Sequence, residues 1–247
     1  MNSDILILFI FYFVSIFSIT GFGLLFQKLV GFPSSKNCIG YHGIFGLFFL
    51  ILYSYFSNLF YPHNLIHNTL LFFIGVFSFY LFYIKKNYSS YEFRVFLLIF
   101  FLLFISFLLF KTHDDFPYYH FPYTYYLTQN SFLVGAGSLN HGFRTPSSLF
   151  YLNSLFYLPV IKFYLFHIGA VSVMGFTLFI FIKKIILSIK KNKIDFLYYL
   201  SLTFIIFIIV FFYRISEHGT DRSAQILILL IIYEIFILLM KKKISKD

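Results

Sequence analysis

The sequence predicts an all-α integral membrane protein of about seven transmembrane helices, with one or two interfacial helices in a large outer loop. Three observations carry this reading. Of the 247 residues, 60% are hydrophobic and only 11% are charged, about half the charge of an ordinary soluble domain. Apolar runs recur along the chain, most of them near the length of about 20 residues that crosses about 30 Å of hydrocarbon. Basic residues gather in every second loop, as the positive-inside rule requires of loops kept in the cytoplasm.

The runs lie at roughly 5–26, 41–60, 69–84, 94–110, 160–182, 196–213 and 224–240. The first lacks a basic n-region and a small-residue cleavage site, so it reads as a retained helix rather than a signal peptide. Lys28 and Lys36 share one loop, Lys85, Lys86 and Arg94 a second, and Lys183, Lys184, Lys190, Lys191 and Lys193 a third. Lys241, Lys242, Lys243 and Lys246 close the tail. This parity puts the N-terminus outside and the C-terminus in the cytoplasm, in a bacterial inner membrane. Lys111, Arg144, Lys162, Arg214 and Arg222 fall in the opposite loops, beside Asp114, Asp115, Glu217 and Asp221.

A formal charge of +10 could suggest nucleic acid. The cations flank apolar runs, however, and form no stripe interleaved with stacking aromatics, so no nucleic-acid partner is read. Cys38 is the sole cysteine, which rules out an internal disulfide and leaves a metal or a bound lipid to help order the outer loops. No repeat, linker or long hydrophilic stretch divides the chain, so residues 1–247 read as one membrane domain.

The outer loop spans residues 111–159 and opens with an acidic pair, Asp114-Asp115, at the mouth of the fourth run. Asp115 precedes Pro117, a pattern that starts a short helix; one Asp then caps it and the other is either solvated or functional. Thr145-Pro146 signals a second short helix ending near Pro159, too short to span. Its Leu149, Phe150, Leu152 and Phe156 are expected to enter lipid while Asn153 and Ser154 stay polar. Between the two, the glycine-rich stretch 135–144 ends in His141 and Arg144 and lacks P-loop spacing, so it is a lid or an ordinary connection.

The second outer loop, 214–223, packs four formal charges and His218 between two apolar helices. It is either a salt-bridged turn or it meets the Asp114-Asp115 loop and supplies cations for an anionic ligand. Glu234, inside the last run, is expected to face other helices, because a lipid-exposed carboxylate there is costly. His63 and His67 give only a weak zinc signal.

The acidic pair, the following Tyr118-Tyr119-His120 and the two interfacial helices resemble the polyprenyl-phosphate-sugar-dependent membrane glycosyltransferases of the GT-C fold. The resemblance covers roughly residues 95–240. It implies a lipid-linked sugar donor held in the membrane, and a catalytic set of Asp114, Asp115 and His120. In it Asp114 or Asp115 is the base or a ligand of a divalent metal such as magnesium or manganese. His141, Arg144, Arg214, Glu217, His218, Asp221 and Arg222 then bind substrate, the arginines by bidentate contact with phosphate. Two features depart from the family: about four helices precede the acidic loop, and the chain is short. A transporter or a non-catalytic subunit of an envelope assembly is the rival reading, and it predicts broken helices or further buried charges within the spans.

Overall fold

The computed structural model describes residues 3–31, 38–84, 90–108, 113–144, 146–215 and 220–244. Among these residues the chain is all-helical and has no strand. In chain order the helices are α1 (Ser3–Val30), α2 (Ile39–Asn58), α3 (Leu65–Phe79), which continues as a π-turn over Tyr80–Ile84, and α4 (Ser90–Leu108). Two short helices follow, α5 (Phe121–Gln129) and α6 (Ser148–Ser154), and then α7 (Ile168–Lys190), α8 (Phe196–Phe212) and α9 (Thr220–Ile244). Six of these are long and apolar enough to cross a membrane, while α8 is apolar but shorter at 17 residues.

Three of the helices have a local reason to start where they do. Asn64 caps α3 by accepting from the His67 amide at 3.0 Å, and Asp195 caps α8 by accepting from the Tyr198 amide at 3.0 Å, satisfying amides that have no partner inside the helix. α7 is served from another helix: Asn153 Oδ1, on α6, accepts from the Gly169 amide at 2.9 Å.

The bundle is built around α7. Of its most apolar window 89% is buried, against 22–44% for the other five long helices, and it packs on α2, α4, α6, α8 and α9. α1, α2 and α3 are joined by backbone approach. A Cβ at Gly23 would overlap the His42 carbonyl oxygen, one at Gly46 the Ile19 carbonyl oxygen and one at Gly21 the Gly75 carbonyl oxygen. Small residues at helix crossings are the usual device where lipid supplies no hydrophobic drive for association. Facing outward, Phe56, Ile66, Phe73, Phe77, Ile206, Val210 and Phe211 are all at least 50% exposed, a belt suited to hydrocarbon. Glu234 accepts from the Tyr41 hydroxyl of α2, so it faces another helix, as expected.

The two ends of the bundle differ. At one end lie the start of α1, the α2–α3 turn and the α5–α6 segment, where the Phe132 amide donates to Asn58 at 2.7 Å and Ser106 of α4 donates to the Tyr213 carbonyl after α8. This is the loop end. At the other, the lysine end, Lys183 pairs with Glu92 and Lys184 with Asp195, both at 2.7 Å.

Three expectations need correction. The run at 160–182 starts too early: the helical span covers Phe163–Lys190, with a 3-10 turn over Phe163–Leu165 leading into α7 at Ile168. Val160 and Lys162 take the left-handed backbone, with φ of 71° and 45°, in a tight turn closed by the Ile161 amide on Pro159 at 2.8 Å. The helix then runs on through Lys183, Lys184 and Lys190 rather than stopping at a lysine loop, since long basic side chains leave their stems in apolar surroundings and carry the charge outward. The second short helix covers only Ser148–Ser154, capped by Ser147, with Thr145 outside the described residues. Finally, its apolar side does not enter lipid: Phe150, Leu152 and Phe156 are 3%, 0% and 4% exposed, and Asn153 and Ser154 are buried with them.

Candidate functional site

At the loop end, a π-turn over Phe116–His120 leads into α5, its Phe121 amide reaching back five residues to Phe116. Two prolines explain this winding. Pro117 sits in the first turn, where its missing amide costs nothing. Pro122 removes the donor that an α-helix would aim at the Tyr118 carbonyl, and Asn140 supplies a replacement, its Nδ2 donating to that oxygen at 3.2 Å. Asn140 Oδ1 also accepts from the Gly142 amide at 2.8 Å, so one side chain holds the glycine-rich segment against the π-turn. Gly142 is needed there because a Cβ would overlap the Tyr119 side chain. Single π-turns of this kind recur at functional sites.

Asp115 stands at the head of this turn. It is part of the first helical turn but its side chain caps nothing. Instead Asp115 Oδ2 accepts from the Tyr119 hydroxyl at 3.3 Å and lies 3.5 Å from His113 Nδ1. His113 Nδ1 accepts from the Asp115 amide at 3.1 Å, so the neutral ring carries its proton on Nε2. His120 is 7% exposed, stacks on His113 with centroids 5.7 Å apart and meets the Tyr119 ring edge-on at 4.4 Å. Burial, and then the neighbouring His113, lower the His120 pKa, against the opposing pull of Asp115 and Asp221. Burial and Asp115 raise that of Tyr119, with Asp221 adding to the rise. Asp221, at the start of α9, therefore lies within electrostatic reach of the π-turn.

The structure thus gathers Asp115, His120 and Asp221 among the expected site residues. Asp114 and His141 are exposed. Arg144 is exposed and turned back on its own segment, Nε donating to Gly137 at 3.4 Å. The Arg214 guanidinium lies over the Tyr213 ring at 5.2 Å, and Arg222 is half-buried beside Asp221. Glu217 and His218 lie outside the described residues. Among the described residues, no group of three or more His, Cys, Asp and Glu is placed to hold a metal ion.

Two members of this patch carried no assigned role in the sequence reading. His113 and Tyr119 bracket Asp115 at spacings of two and four, the second of which puts Tyr119 on the same helical face. His167 was missed as well; it precedes α7 and stacks on Phe116 at 4.5 Å.

A second polar cluster lies nearby. His63 is fully buried, its Nδ1 at 2.6 Å from Ser154 Oγ and its Nε2 at 3.0 Å from Ser57 Oγ. Asn68 Nδ2 faces the carbonyls of His63, Ser154 and Tyr157 at 2.7, 2.8 and 3.1 Å. Its Oδ1 takes the proton of His67 Nδ1 at 2.9 Å, leaving His67 Nε2 to accept from Tyr53 at 2.9 Å. Burial, and next the adjacent His67, push the His63 pKa down to about 3. Every ring nitrogen of this pair is engaged, and the rings stack at 5.3 Å instead of converging on a point, which argues against the zinc reading.

Fold and patch together define a helical bundle with six helices fit to cross a membrane and a half-buried carboxylate, tyrosine and histidine group at one end. The chain belongs to the family described as a domain of unknown function (DUF8201), whose model matches residues 5–247. No curated protein and no solved structure matches it.

Proposed function

We propose that the chain is a seven-span protein of a bacterial inner membrane, N-terminus outside and C-terminus in the cytoplasm, that transfers a sugar from a polyprenyl-phosphate carrier to an acceptor at the outer face. α8 is the seventh span in this reading: 17 residues at about 1.5 Å each reach about 26 Å, and Tyr213 extends it into the interface. The loop end is then the outer surface, with α5 and α6 as interfacial elements.

The observation that carries the reading is Asp115, a carboxylate 45% exposed, oriented by Tyr119 and flanked by two histidines at a helix mouth. Asp115 takes the proton of the acceptor hydroxyl. The acceptor oxygen attacks the anomeric carbon, and the bond from that carbon to the carrier phosphate breaks, its electron pair leaving on the phosphate. Arg222, and Arg214 at the end of α8, are the cations for that phosphate, since guanidinium binds its oxygens bidentately. Asp114 and Asp115 offer hard oxygen ligands that would hold magnesium or manganese, and among the described residues no third His, Cys, Asp or Glu joins them.

The test is complementation of a deletion strain, read by mass spectrometry of surface glycans. Asp115→Asn is expected to lose the glycan at normal protein level, because an amide cannot take the proton. Full transfer by both Asp114→Asn and Asp115→Asn would reduce the pair to structural residues and overturn the assignment.

A further inference from the structure

At the lysine end, away from the proposed transfer site and independent of it, α4 and α7 diverge around a cleft of about 230 Å³. One seam of α7 lines it, Lys183, Ile186, Leu187 and Lys190, the spacing of a single helical face. Tyr91, Glu92 and Val95 of α4 line the other wall, with Phe179 completing the lining. The cleft is apolar except at two places. Lys183 pairs with Glu92 at 2.7 Å while both stay partly open to the surroundings, at 22% and 28% exposure. Two turns on, the Lys190 ammonium rests over the face of Tyr91, 4.1 Å from its centroid.

The charges in the cleft do not balance. Among the described residues lining it, two ammonium groups face one carboxylate, and the nearest other lysine of α7, Lys184, is matched by Asp195 at 2.7 Å. Tyr91 steadies Lys190 through its ring without neutralising it. A cationic mouth over an apolar wall, at the boundary where apolar helix gives way to lysine, complements an amphiphile with an anionic head. We infer that this cleft binds one acidic glycerophospholipid, its phosphate between Lys183 and Lys190 and an acyl chain along Val95, Ile186 and Leu187. Basic pockets between membrane helices take anionic headgroups by this chemistry. Glu92 sets the strength of the site, because it competes with the phosphate for Lys183.

Native mass spectrometry of the full chain in detergent, titrated with phosphatidylglycerol or phosphatidylcholine, tests this. The wild type is expected to retain one phosphatidylglycerol and no phosphatidylcholine. Lys190→Gln lies in the exposed last turn of α7 and should fold; it is expected to lower the retained fraction about fivefold, the worth of one lysine near an anionic lipid. Glu92→Gln is expected to raise retention, the opposite of what loss of a purely structural ion pair would do. Equal retention of the two lipids, or no response to Lys190→Gln, would overturn the site. Displacement of phosphatidylglycerol by millimolar inorganic phosphate would overturn the lipid in favour of a small phosphate compound.

Discussion

His63 and His67 stack with centroids 5.3 Å apart and planes 13° from parallel, and His113 and His120 stack at 5.7 Å and 21°. The ring geometry is nearly the same and the surroundings are not. Both nitrogens of His63 and of His67 are held by hydroxyls or an amide, and Asn68 threads between them to tie α3 to α6. Around the second pair, His113 and Asp115 are 41% and 45% exposed, and among the described residues the carboxylate accepts one long hydrogen bond, from Tyr119. A saturated polar cluster fixes helices; one with open lone pairs at a surface can take a proton from a ligand. Side-chain identity alone does not separate the two, whereas burial and the tally of partners do.

The widest gap should appear between Asp115→Asn and Asn68→Ala. The first is expected to cut transfer by about 10²–10⁴-fold, the usual worth of a general base, with no change in the thermal unfolding midpoint in detergent. The second leaves buried carbonyls and His67 without their partner, at about 1–3 kcal/mol for such a group, and is expected to lower that midpoint while transfer per folded molecule holds. If Asn68→Ala abolished transfer at an unchanged midpoint, the network would belong to the site and the contrast would fail.

Acid should weaken the clamp. With His63 held near 3 and an ordinary histidine near about 6.5, the unfolded chain binds a proton between those values that the folded chain does not. Stability is therefore full above about pH 6.5 and declines as pH falls toward 3. His63→Gln is expected to flatten this decline relative to wild type, and parallel pH profiles would show that another group is responsible. A smaller effect is expected from Tyr119→Phe, which removes only the bond at 3.3 Å: about fivefold in transfer, on the order of 1 kcal/mol. Asp114→Asn, at an exposed carboxylate, is expected to stay within about twofold.

Most of the helices were legible because hydrocarbon thickness is so strong a constraint: the runs at 41–60, 94–110 and 196–213 differ from α2, α4 and α8 by a few residues at each end. The bounds of the run at 160–182 were misplaced for a specific reason. Hydropathy credits Val160 and Ile161 as span, although they lie in a left-handed turn whose Ile161 packs into the core. α6 misled in a similar way, since its apolar residues read as a lipid-facing stripe when they are the contact with α2, α5 and α7. At the candidate site, Asp115 and His120 could be picked out from an acidic pair followed by aromatic residues. His113 and Tyr119 needed the π-turn, which exists because Pro122 and Asn140 cooperate across 18 residues of chain, a pairing no local pattern announces.

The burial of α7 has a consequence for the order in which the protein is made. Four long helices leave the ribosome before it, and two of them, α2 and α4, later pack on it together with α6, α8 and α9. Until α7 arrives, the faces of α2 and α4 that receive it must rest on lipid or on each other. For Phe96 and Phe100 the exchange costs little, because acyl chains are as apolar as the side chains of α7. For Gly40 and Gly43 it is different: the Ile180 side chain lies over the first and the Phe176 ring over the second so closely that a Cβ at either would overlap α7, and no acyl chain reproduces that fit. The half-made bundle therefore carries a bare glycine seam on α2, and the fifth long helix to be synthesised is the one that covers it.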